Sequence, residues 1–105
     1  MNIKFKNVVM QDTEFGEHGL IKLDNGLEIS IVQNGLSYGG DKGFYEMGAM
    51  KPSGGMVYIE EWQDEVKGWL TPEDIDKEFQ MLQKLRPTNS PAGTVWRTAA
   101  GCQGL

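Results

Sequence analysis

Leu70-Thr71-Pro72-Glu73-Asp74-Ile75-Asp76-Lys77-Glu78-Phe79-Gln80-Met81-Leu82-Gln83-Lys84-Leu85 decides the fold class. Its start signals are those of an α-helix. Thr71 suits the N-cap, where its hydroxyl accepts from a free backbone N–H of the first turn. Pro72 suits the first helical position, which needs no N–H. Glu73, Asp74 and Asp76 set negative charge against the positive end of the helix dipole. Leu70 and Ile75 occupy the two positions of a hydrophobic staple. Ile75, Phe79, Leu82 and Leu85 recur at helical spacing and share one face, and Pro87 is the expected stop.

Upstream of the helix the pattern is that of strands. From Leu20 to Val32, Ile21, Leu23, Leu27, Ile29 and Ile31 alternate with polar residues, around the turn Asp24-Asn25-Gly26. A two-residue loop would pair Leu23 with Glu28 and mix the faces. A three-residue loop pairs Leu23 with Leu27 and Ile21 with Ile29. Only the second keeps one face apolar, since a slip of one residue inverts every side chain. It requires Gly26 at positive φ, in a G1 bulge.

Three further strands are expected. Ile3 to Met10 alternates weakly, and the polar stretch Gln11 to Gly19 reads as a loop carrying His18. Phe44 to Met50 places Tyr45, Met47 and Ala49 on one face. After the turn Lys51-Pro52-Ser53-Gly54-Gly55, Met56 to Trp62 reads as a strand. Gln63-Asp64-Glu65 is a turn, and Val66 to Leu70 a short extended piece. Strands first and one helix last imply an α+β domain, a small antiparallel sheet of about four or five strands with a C-terminal helix on one face. That domain is expected to span residues 1–86. Residues 87–105, with Thr88-Asn89-Ser90-Pro91-Ala92-Gly93-Thr94, read as a flexible tail or one foreign to the domain, with Trp96 its one anchor.

The chain of 105 residues carries net charge −5, unevenly spread. Residues 60–78 hold eight acids and two bases, whereas residues 79–105 hold three bases and no acid. The acidic balance argues against direct nucleic-acid binding, which needs cations opposite phosphates. No apolar run is long enough for a membrane span, and Met1-Asn2-Ile3-Lys4-Phe5-Lys6 is no signal sequence. With the single cysteine Cys102, these features make a cytoplasmic protein the expectation.

No constellation specifies a reaction, a cofactor or a metal. His18 and Cys102 lie near opposite ends in segments read as loose, whereas a catalytic pair sits on a rigid scaffold. Two such ligands are too few for zinc. The acid pairs Glu60-Glu61, Asp64-Glu65 and Glu73-Asp74 lack the spacing of a calcium loop. In Tyr38-Gly39-Gly40-Asp41-Lys42-Gly43 the glycines suggest a phosphate loop, but the P-loop order is missing and a strand follows.

The block Ser37-Tyr38-Gly39-Gly40-Asp41-Lys42-Gly43-Phe44-Tyr45-Glu46-Met47 resembles one found in small uncharacterised proteins of tailed bacteriophages and prophages. In that group a segment similar to Asp64-Glu65-Val66-Lys67-Gly68-Trp69-Leu70-Thr71-Pro72-Glu73-Asp74-Ile75 follows, and a C-terminal helix ends the chain. The resemblance spans about residues 20–85. It implies a phage or prophage origin and brings no catalytic residue with it.

Three function classes follow. The first is a non-enzymatic binding protein that docks a partner with a basic surface through Glu60, Glu61, Trp62, Asp64 and Glu65. Aromatic anchors inside a charged rim suit such a surface. The second is a small nucleotide- or metal-dependent enzyme using the loop of Tyr38, Gly39, Gly40, Asp41 and Lys42. A minor virion component is a third.

Overall fold

The computed structural model describes residues 3–14, 16–34, 42–91 and 93–98. A single 3-10 turn, Phe5–Asn7, precedes the strands β1 (Gln11–Thr13), β2 (Gly16–Lys22), β3 (Glu28–Asn34), β4 (Tyr45–Met50), β5 (Tyr58–Ile59) and β6 (Val66–Leu70). Helix α1 (Pro72–Leu82) follows, then β7 (Leu85–Ser90) and β8 (Gly93–Thr98). A five-stranded antiparallel sheet has the order β1-β2-β3-β4-β6. A second, three-stranded sheet has the order β5-β8-β7, with β5 and β8 parallel. The chain is thus an α+β fold, as its order of strands and helix implies.

The β2–β3 hairpin has the register that the apolar pattern demands. Ile21 lies opposite Ile29 and Lys22 opposite Glu28. The Leu23 N–H donates to Leu27 O at 2.8 Å, and Gly26 has a φ of 98°. Leu23, Leu27, Ile29 and Ile31 are buried on the inner face, where Met47 and Ala49 of β4 join them. The helix start is equally local. Asp74 N donates to Thr71 Oγ1 at 3.1 Å, and Thr71 N donates back to Asp74 Oδ2 at 3.1 Å. Leu70 and Ile75 are buried on either side of this capping box. Phe79, with no exposed surface, Ile75 and Leu82 complete one apolar cluster with the sheet.

The structure differs from the sequence expectations in five places. Ile3 to Met10 is not a strand; the chain makes its 3-10 turn there, and Phe5 N donates to Asp76 Oδ1 of the helix at 2.8 Å. The residues read as a loop, Gln11 to Gly19, instead supply β1 and most of β2, so His18 is a strand residue opposite Gln11. The approach of the N-terminal segment depends on Gly19. A Cβ there would stand 2.6 Å from Met10 Sδ and 2.7 Å from Val8 Cγ1.

Met56 to Trp62 gives only the two-residue strand β5. Met56 and Val57 first return along β4, with Met50 bridged to Met56 and Val57 N donating to Ala49 O at 3.0 Å. The chain then leaves that sheet to run beside β8, and comes back at Glu65, whose carbonyl accepts from Ala49 N at 3.1 Å. The β4 edge is therefore shared by two segments that part at Ala49.

Helix α1 ends at Leu82, before Leu85 and Pro87. Leu85 is buried as the first residue of β7 and pairs with Thr98; Pro87 lies inside that strand. Because β7 is the edge of its sheet, the missing N–H of proline is tolerated. Residues 87–90 and 93–98, expected in a flexible tail, form most of the β7–β8 hairpin, and Trp96 is 8% exposed within the main core. Its partner Ile59 supplies the reason: β8 completes a sheet with β5, so the hairpin buries an apolar face that its polar composition conceals. Residues 99–105 lie outside the described residues.

Candidate functional site

The acidic stretch after β5 is a closed turn. Trp62 N donates to Ile59 O and Gln63 N to Glu60 O, each at 3.1 Å, and Ile59 N donates to Asp64 O at 3.0 Å. Glu60 N donates to Trp96 O at 3.0 Å, which fastens the turn to β8. Gln63 stands at a φ of 55°, a left-handed conformation held by these bonds. Asp64 Oδ1 accepts from the Glu65 N–H at 2.6 Å.

The five residues singled out by sequence have three different environments. Glu60 pairs with Arg97 of β8, Oε2 to Nε at 3.4 Å. Trp62 is half-buried against the core, and its Nε1 donates to Glu78 Oε1 at 2.6 Å. The other oxygen of Glu78 meets Lys67 Nζ at 3.2 Å, so Trp62 and β6 are tied together through the helix. Glu61, Asp64 and Glu65 are exposed. Among the described residues, no ion pair includes any of these three.

A groove adjoins the turn. It has a volume of about 400 Å³ and opens where the two segments sharing the β4 edge part. Lys51, Met56, Val57 and Tyr58 form one side, Glu65 the end towards the turn, and Pro87, Thr94 and Trp96 the hairpin side. Met56 is 41% exposed and Tyr58 37% exposed. Sequence reasoning found Glu65 but not the groove, because its hairpin wall belongs to the expected tail. The only local signal was Trp96, a large apolar residue in a polar segment.

Of the glycine-loop candidates, Tyr38, Gly39, Gly40 and Asp41 lie outside the described residues. Lys42 is exposed, and the next residue, Gly43, accepts at its carbonyl from Gln33 Nε2 at 2.7 Å. His18 borders a smaller depression with Val9, Gln11, Gly19 and Leu20; Cys102 lies outside the described residues. Among the described residues, no three His, Cys, Asp or Glu side chains are grouped to hold a metal ion, and no helix is long and apolar enough to cross a membrane.

One further aromatic is conspicuous. Trp69 is 54% exposed and has a φ of 59°. Between Tyr45–Leu70 and Met47–Lys67 the ladder shifts, leaving an extra residue on β6. This bulge turns the Trp69 ring out against Phe44, with centroids 5.8 Å apart.

Comparison with known proteins gives no similarity from which to assign a family: no family model, no curated protein and no solved structure matches the chain.

Proposed function

We propose that this chain is a non-enzymatic binding domain that docks a partner with a basic surface through the turn between β5 and β6. The observation that carries the reading is the contrast within that turn. Its backbone is closed by hydrogen bonds and its tryptophan is fastened to the helix, yet Glu61, Asp64 and Glu65 project into solvent. Charges on a rigid support meet a partner with little ordering cost, and they steer the encounter. Trp62 serves as the fastening of the patch and not as its anchor. The resemblance to phage and prophage proteins implies a bacterial host as the setting in which the partner is found.

Charge reversal tests the reading. Glu61→Lys, Asp64→Lys and Glu65→Lys are combined, and association with a purified basic partner is measured at two salt concentrations. The wild type is expected to lose affinity steeply with salt, and the triple variant to lose both the affinity and the salt dependence. Association that survives the reversal with an unchanged salt dependence overturns the reading.

A further inference from the structure

We infer that the groove beside the acidic turn accepts an apolar side chain from an extended basic segment of the partner, so that the ligand is a peptide with cationic and aliphatic residues in alternation. The inference rests on the proposed function and specifies the partner further. Three features of the groove lead to it.

Its origin makes it a fixed feature. The Lys51–Gly55 turn is closed, with Gly54 N donating to Lys51 O at 2.9 Å and Lys51 N to Gly55 O at 3.2 Å. On the other side Trp96 is held through its carbonyl by Glu60 N and paired in the ladder with Ile59 and Pro87. The gap between them is therefore set by hydrogen-bonded backbone.

Its lining joins an adaptable apolar part to a polar one, with Met56, Val57, Tyr58, Pro87 and Trp96 beside Lys51, Glu65 and Thr94. Met56 and Tyr58 leave large hydrophobic surface in water, with Val57 and Trp96 beneath. A flexible thioether can reshape itself around different side chains, and a tyrosine offers a rigid ring with a polar tip. A cleft of about 400 Å³ is at the low end for enclosing a whole ligand, for which about 300–1,000 Å³ is usual. It suits one or two side chains of a longer chain.

Its charge selects the flanks of that chain. Glu65 lines the groove, and Asp64 and Glu61 belong to the turn that precedes it, exposed and without ion-pair partners among the described residues. Among the described residues that line the groove, Lys51 is the one cation. In an extended segment successive side chains point to opposite sides. An aliphatic residue seated over Trp96 thus leaves its neighbours on the rim, where a guanidinium or ammonium meets Glu65 and Asp64. An acidic segment would be repelled at the Glu65 end.

The test uses the full chain and two synthetic decapeptides of equal charge, one alternating arginine with leucine and one alternating arginine with serine. Binding is titrated by calorimetry at two salt concentrations. The wild type should bind the arginine–leucine peptide about tenfold or more tightly than the arginine–serine peptide, the range expected for burying one aliphatic side chain. Two groove variants, Met56→Ser and Thr94→Tyr, should each shrink that ratio while leaving the salt dependence in place. Both positions are exposed, and unchanged thermal melting confirms that the fold is kept. If both peptides bind equally and only charge reversal weakens them, the groove inference falls and the acidic docking turn stands. If neither peptide binds, both fall.

Discussion

Asn25, at the tip of the β2–β3 hairpin, caps the far end of the helix at Leu82. Its Nδ2 donates to Leu82 O at 2.9 Å and to Leu85 O at 3.2 Å, while its Oδ1 accepts from Leu27 N at 3.2 Å. One amide side chain thus holds the hairpin turn, the helix C-terminus and the start of β7. Asn25→Ala should lower stability by about 1–3 kcal/mol, because carbonyls at the helix end lose their donor in a partly buried site. Asn25→Asp keeps the shape and removes the donor, so it should be at least as harmful. Urea unfolding of both variants checks this; a neutral Asn25→Asp would mean that water replaces the amide.

Phe79 is fully buried in the apolar cluster that the helix shares with the sheet. Phe79→Ala should cost about 3–5 kcal/mol, and Thr71→Ala about 1 kcal/mol through loss of the N-cap. Thermal and urea melts of the two variants give the comparison, and equal effects would show that burial does not dominate.

The acid limb of the stability curve should contain Asp74. Its carboxylate accepts from the Thr71 backbone N–H and, in smaller part, interacts with the Thr71 hydroxyl, and these contacts hold its pKa below the ordinary value. A depressed pKa gives stability that is complete above the unfolded-state value, near about 4, and is lost as pH falls through the lower folded-state value. The stability gap between wild type and Asp74→Asn should therefore be constant at neutral pH and close progressively below about pH 4. A gap independent of pH throughout the acid range would contradict this.

Truncation after Pro87 removes β8 and with it Trp96, which packs in the core. The shortened chain should be much less stable, given that loss of a buried tryptophan side chain alone costs about 3–5 kcal/mol. Trp96→Phe should retain most of the stability. Urea midpoints of the three proteins decide the point, and an unaffected truncation would assign the hairpin to a separate unit.

The legible parts of the fold were those fixed by neighbours in sequence. Loop length and face polarity left one register for Ile21 and Ile29. Thr71, Pro72 and Asp74 announced a helix within a single turn. The missed parts depend on distant partners. Leu85 continues the helical spacing of Ile75, Phe79 and Leu82, and nothing nearby tells that Asn25 ends the helix before it. Thr88 to Thr94 has the composition of a free segment, whereas Val95 and Trp96, just beyond it, pair with β5, far upstream. The acidic turn shows the same division. Its charges could be read directly, but the roles of Glu60 and Trp62 depended on Arg97 and Glu78, which no local pattern links to them.

The division of the β4 edge between two segments also orders the assembly of the molecule. The β2–β3 hairpin and the β7–β8 hairpin close short loops, whereas the parallel pair Ile59–Trp96 must close a long one that contains β6 and the whole helix. Loop-closure entropy makes such a contact late, since its cost precedes its reward. The groove and the turn proposed to dock a partner are complete only once that closure is made. Amide protection of Ile29 and Ile31 should thus rise before the fluorescence of Trp96 reaches its native value, and binding competence should arrive with the second signal. The contact that completes the proposed recognition surface is thus expected to form after the two hairpins.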